Sequence, residues 1–150
     1  MPERIVQAEM STMTAVVTLL ENVRWEAMAG SGHSLLVDGP QEVGGENAGF
    51  RPMELMLLGL GSCIAYDTLM ILRRMRQDVT SYKVRLVGER AEDPPAVYTT
   101  VTLEHVIAGG HVSEDSVQRA LALAEEKYCS AWAMFSKTAK LSNSYRIETP

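Results

Sequence analysis

Cys63 and Cys129 are the two thiols of this 150-residue chain. Cys63 stands in the apolar run Leu55–Tyr66, where a lone thiol is more often inert packing than a nucleophile. Cys129 lies in Lys127-Tyr128-Cys129-Ser130, at the junction of two helical patterns. There the N–H groups of the next helix and Lys127 favour a thiolate. Brought together, the two sulfurs could cycle between dithiol and disulfide, although spacing alone does not show that they meet. A thiol attacks a peroxide bond only as thiolate, so Cys63 in that role needs a cation nearby. Tyr66 at i+3 and Asp67 at i+4 share its side of a helix. An anionic Asp67 opposes the thiolate unless it orients an arginine. Arg24 and Arg51 are the candidates, with a solvated surface charge the commoner reading of each. Glu54 either accepts from such an arginine or favours a helix N-terminus. Tyr128, Trp132 and Phe135 could line an apolar pocket, though core packing is the commoner fate of such a cluster.

These residues need elements to position them. Arg51–Gln77 reads as one long helix, with Pro52 and Glu54 in its first turn and Arg73, Arg74 and Arg76 at its end. It is apolar on nearly every face, which requires burial on all sides or lipid. Its uncharged run Leu55–Tyr66 falls well short of the ~20 residues of a membrane span, so it reads as the central helix of a soluble core. Thr14–Glu21 is a β-branched strand. Arg24–Ala29 and His33–Val37 form a hairpin around Gly30-Ser31-Gly32, stopped by Asp38-Gly39-Pro40. Gln41–Phe50 is a loop whose Gly44-Gly45 pair lacks the residues of a phosphate loop. Beyond the helix, Ser81–Arg90 and Val97–Ile107 alternate as strands, the second with Val97, Thr99, Val101, Leu103, His105 and Ile107 on one face. Gly109-Gly110 ends it. Ser113 caps a helix carrying Val117, Ala120, Leu121 and Ala124 on one stripe. A further helical piece spans Ser130–Leu141, and Tyr145–Glu148 makes a last strand. The order indicates an α+β fold in a single domain over 1–150, with a frayed 1–12. A helix apolar all round is hard to cover from one sheet, which predicts a homodimer.

The totals narrow the function classes. Net charge is −5 with no basic cluster, which argues against nucleic acid or a membrane surface as partner. The N-terminal residues show no signal core. Nine methionines and two cysteines suit a cytoplasmic chain. Two cysteines are no disulfide framework and are too few for a zinc site. His33, His105 and His111 show no ligand spacing and read as surface or strand residues.

Several stretches together resemble the OsmC/Ohr family, the osmotically inducible protein C and organic hydroperoxide resistance proteins. They are Pro-Met-Glu-Leu at 52–55 with Cys63, Val-Gly-Glu-Arg-Ala-Glu-Asp-Pro-Pro at 87–95, and Glu-Lys-Tyr-Cys-Ser at 126–130. Val-Asp-Gly-Pro at 37–40, running on to Glu46, is similar to the segment before the central helix in one OsmC-like subgroup. The resemblance implies an intertwined homodimer in which strands from both chains wrap a long buried central helix. It implies that Cys63 attacks an organic hydroperoxide, and that Cys129 resolves the sulfenic acid as a disulfide, which an external dithiol reduces. No metal or organic cofactor is then needed. It also implies an arginine near the first cysteine, best matched by Arg24, and a glutamate holding it. In the reductases that glutamate directly follows the proline; here Met53 fills the slot and Glu54 follows, a rotation of ~100° on a helix.

The leading expectation is therefore a thiol peroxidase acting on organic hydroperoxides. The alternative is a non-catalytic or redox-sensing protein that binds a small hydrophobic ligand on the same fold. A third reading, a thioester-hydrolysing fold using Asp67, leaves both cysteine motifs unexplained.

Overall fold

The computed structural model describes residues 12–149. The expected fraying of 1–12 lies, apart from Thr12, outside them. The chain divides into two compact units, one ending at Leu55 and the other beginning at Met56.

The first unit is a three-stranded antiparallel sheet in the order β1 (Ala15–Glu21), β2 (Arg24–Ala29), β3 (Ser34–Val37). Asn22, with φ 51°, takes the left-handed conformation in the turn from β1 to β2. The loop after β3 is organised around Asp38, which by sequence pattern is only a turn residue. Its Oδ1 accepts from Gly39 N at 2.8 Å, and its Oδ2 from Glu46 N at 3.0 Å and Ala48 N at 3.1 Å. These amides, Ala48 foremost, hold the carboxyl below its ordinary range against the opposing effect of burial. Within the loop, Gln41–Val43 forms one 3-10 turn.

Helix α1 (Pro52–Arg74) begins in this unit and continues into the second. Its buried residues are Leu60, Gly61, Ile64, Thr68 and Leu72, a single stripe at helical spacing. The helix ends in a Schellman motif. Gln77 N–H donates to Leu72 O at 2.9 Å and Arg76 N–H to Arg73 O at 3.0 Å, with Arg76 left-handed at φ 59°. By length and apolarity alone α1 could cross a bilayer. Its buried stripe instead packs on protein: a Cβ at Gly61 would come within 2.6 Å of Leu86 Cδ1, so the missing side chain lets helix and sheet meet.

The second unit holds a sheet ordered β4 (Asp78–Arg90), β5 (Tyr98–His111), β6 (Lys140–Glu148). Strands β4 and β5 are antiparallel. Strand β6 starts earlier than Tyr145 and pairs parallel to β5, a direction the sequence pattern did not show. Val101, Leu103, His105 and Ile107 are buried as expected, but Tyr98 takes the inward place in front of them, next to a register shift at Glu89/Arg90. Strand β5 also runs through Gly109-Gly110 to His111, because a shift against Asp78 and Val79 absorbs the glycines. Helix α2 (Glu114–Leu123), capped by Ser113 Oγ accepting from Ser116 N, packs Val117, Ala120 and Leu121 on Leu72 and Ile107. A π turn (Ala124–Tyr128) and the short helix α3 (Ser130–Phe135) complete the path to β6. The expected helix to Leu141 stops at Phe135; a turn over 136–139 follows, and Lys140 and Leu141 open β6.

One buried polar chain crosses this unit. Tyr82 Oη lies 2.6 Å from His105 Nδ1, His105 Nε2 lies 2.7 Å from Asn143 Oδ1, and Asn143 Nδ2 donates to Glu125 Oε1 at 2.6 Å. A neutral imidazole protonated on Nε2 satisfies every step: Tyr82 donates to His105, which donates to Asn143. His105 is fully buried, and burial lowers its pKa from 6.5.

Below the unfolded imidazole's pKa near 6.5, the unfolded chain takes up a proton that folded His105 resists, so stability falls as pH drops. Thermal unfolding from pH 7.5 to 5 should show this fall in wild type and a shallower one in His105→Phe. Arg76→Gly relieves a left-handed arginine and should stabilise by about 1 kcal/mol in urea unfolding.

Candidate active site

Helix α1 places Cys63 and Asp67 one turn apart on the same side. Cys129 arrives from another direction. At the end of α2 the helix widens by one residue, and Cys129 N–H donates to Ala124 O at 2.8 Å, five residues back. Cys129 then turns extended, with φ −77° and ψ 104°, and caps α3 through Sγ, which accepts from Trp132 N at 3.3 Å. The Cys63 thiol, the Cys129 thiol and the Asp67 carboxylate have their donor atoms within 4.8 Å of one another. The meeting of the two sulfurs, which spacing left open, is thus a feature of the second unit. Cys63 and Asp67 are half-buried, whereas Cys129 is 3% exposed.

Burial decides the charge state of Cys129. It pushes the thiol up to about 12, with smaller upward contributions from a side-chain hydrogen bond to Cys63 and from the charge of Asp67. The Trp132 amide pulls the other way and is outweighed. This corrects the expectation of a Cys129 thiolate. The helix after it is one and a half turns long, and the Lys127 ammonium sits 5.3 Å from the Tyr128 ring centroid. Asp67 is also raised by burial.

The other predicted residues fall in the first unit. Arg24 donates to Glu21 Oε2 at 3.0 Å and Glu46 Oε2 at 3.1 Å. Among the described residues its ion pairs are with these two, and none is with Glu54. Both glutamates are about two-thirds exposed, so each pair contributes at most ~1 kcal/mol. Arg51 is spent on the loop: Nη1 donates to Asp38 O and Gly49 O, and Nη2 to Asn47 Oδ1. Glu54 is exposed in the first turn of α1. Nine residues separate it from Cys63 on one regular helix, which turns it roughly 180° from the thiol. Of the aromatic cluster, Phe135 packs on Tyr98 with ring centroids 5.8 Å apart, Trp132 is half-buried and Tyr128 is exposed.

Sequence reasoning missed His105, Asn143 and Glu125 as the brace of the turn before Cys129. A signal was there: Asn143 shares the inward register of β6 with Leu141, Tyr145 and Ile147, and His105 shares that of β5. Polar residues at inward positions need partners.

Comparison with known proteins agrees with this architecture. Protein YhfA of Escherichia coli K12 is 36% identical over 138 residues, covering 90% of this chain and 98% of its own. A hypothetical protein from Aquifex aeolicus VF5 superposes with a TM-score of 0.81 at 29% identity, covering 93% of this chain and 98% of that one. The organic hydroperoxide resistance protein OsmC of Legionella pneumophila shares the fold, with a TM-score of 0.68 at 17% identity, over 89% of this chain and 96% of its own. Residues 44–143 match the family described as OsmC-like protein. On fold, central helix and sequence, the chain belongs to the OsmC-like family.

Proposed function

We propose that this protein is a two-cysteine peroxidase that reduces organic hydroperoxides. The observation that carries the reading is the meeting of Cys63 and Cys129, from separate elements, with one thiol reachable and the other enclosed. Cys63 as thiolate attacks the terminal peroxide oxygen; the O–O bond breaks, the alkoxide takes a proton, and Cys63 is left as sulfenic acid. Cys129, held protonated by burial, supplies both sulfur and proton to the second step. Its sulfur bonds to Cys63, the sulfenic hydroxyl leaves, and the Cys129 proton completes a water molecule. An external dithiol then reduces the disulfide. Hydroperoxide resistance in the name of the Legionella relative agrees with this chemistry.

A homodimer is part of the same proposal. All seven residues of β1 are exposed, with Val16 and Leu20 on one face and Val17 and Leu19 on the other. Apolar side chains on both faces of one strand call for cover. Met56, Leu58 and Met70 of α1 are exposed as well. Sedimentation should give twice the chain mass, and Val17→Lys with Leu19→Lys should shift it toward monomer.

Two measurements test the chemistry. Free-thiol titration after one equivalent of organic hydroperoxide should show rapid loss of two thiols per chain, with little loss in Cys63→Ser; survival of both for minutes overturns the proposal, leaving ligand binding as the function. Brief alkylation of the reduced, folded protein at pH 8 should modify Cys63 well ahead of Cys129, which reacts fully only after denaturation, as peptide mass spectrometry would record. Equal labelling would contradict the enclosed resolving thiol.

A further inference from the structure

The same corner of the second unit holds more than a pair of thiols. Cys63, Asp67 and Cys129 present two sulfurs and a carboxylate oxygen whose positions agree within 4.8 Å. Two of the three donors come from one side of α1, a helix braced on β4. The third is fixed by the π turn and by the capping of α3. Two cysteines alone are too few for zinc; the fold adds Asp67 as a third donor.

We propose that the reduced protein binds one thiophilic divalent cation, of the zinc class, through Cys63 Sγ, Cys129 Sγ and an Asp67 carboxylate oxygen. Donor chemistry selects the metal. Two thiolates with one carboxylate suit a borderline-soft ion such as Zn²⁺, whereas magnesium and calcium sites are built from oxygen alone. Geometry admits it too. Zn–S bonds of ~2.3 Å in a tetrahedron set donor separations of about 3.8 Å, so side-chain rotations that draw the donors in by about 1 Å close the set. Three protein ligands leave the fourth tetrahedral position for water or another ligand, and half-buried Cys63 and Asp67 give access to it. Charge balance favours occupation. Binding releases the thiol protons, and the divalent charge meets two thiolates and one carboxylate, leaving the centre at −1. The enclosed Cys129 thiol, costly to ionise alone, ionises as a ligand.

The site stands apart from the peroxidase reading but competes with it for the same sulfurs. Bound metal occupies the thiolate that attacks peroxide. Conversely, the metal-held dithiolate, one hydroperoxide and two protons give the disulfide, one alcohol, one water and the free cation.

The test uses the full-length protein, reduced with a phosphine and titrated with Co²⁺, then Zn²⁺. Expected are one Co²⁺ per chain, a thiolate-to-cobalt charge-transfer band with tetrahedral d–d bands, and their loss on adding one equivalent of Zn²⁺. Cys63→Ser should lower the charge-transfer intensity by about half. Asp67→Asn should keep that intensity while weakening binding at least tenfold. If Cys129→Ser fails to fold, these two variants at half-buried positions still decide the matter. Absence of the charge-transfer band at stoichiometric Co²⁺, or affinity unchanged in both variants, overturns the site. Titrating the thiols of the metal-free protein after organic hydroperoxide separates the two readings: thiols retained in full contradict the peroxidase cycle and leave this site standing.

Discussion

A polar group sealed in an apolar interior must find a partner, and in this protein one such requirement fixes the site. His105 lies at the centre of the second sheet with no access to water. It is satisfied by Tyr82 on β4 and Asn143 on β6, and Asn143 in turn grips Glu125. Leaving any member unpaired would cost ~1–3 kcal/mol, and the cost falls on a chain that joins three strands to the turn before Cys129. The Cys129 thiol is thus placed by a network in which it makes no hydrogen bond itself. Apolar packing of α2 on Leu72 and Ile107 positions the preceding helix, but packing is not directional enough to fix a turn one residue wider than its neighbours.

The charge state of Cys129 follows from burial more than from nearby cations. Cys129 is enclosed, has Asp67 within reach and receives a single amide, so it holds its proton. Cys63 sits on the open side of the same contact. Two identical side chains thereby differ in access, Cys63 half-buried and Cys129 enclosed. Arg24 and Arg51 are meanwhile committed to carboxylates and to loop carbonyls.

Much of this was legible in the residues. Period-two alternation located β4 and most of β5, and the Ser113 cap located α2, because those signals are local and each reports one half-buried surface. The motifs around Cys63 and Cys129 pointed to the family. What escaped was non-local. The parallel pairing of β6 depends on which strand it meets, which its own nine residues do not encode. Asp38 reads as a turn former, yet two of the three amides it binds lie eight and ten residues on. Helix α1, apolar on nearly all sides, gave its length clearly but not its buried stripe, since nothing in the pattern distinguishes one face from another. For the same reason the closeness of Asp67 to Cys129 could not be read from either segment alone.

The π turn at Ala124–Tyr128 carries an implication about chain length. It is one residue longer than the helical turn it replaces, and Cys129 is phased by that surplus. Removing a residue there would let the helix run on regularly and swing the thiol about 100° around its axis. Both cysteines and nearly all of the surrounding motif would survive such a deletion. An intact pair of cysteines therefore does not by itself bring the two sulfurs together: the count of residues between Leu123 and Cys129 decides it as well.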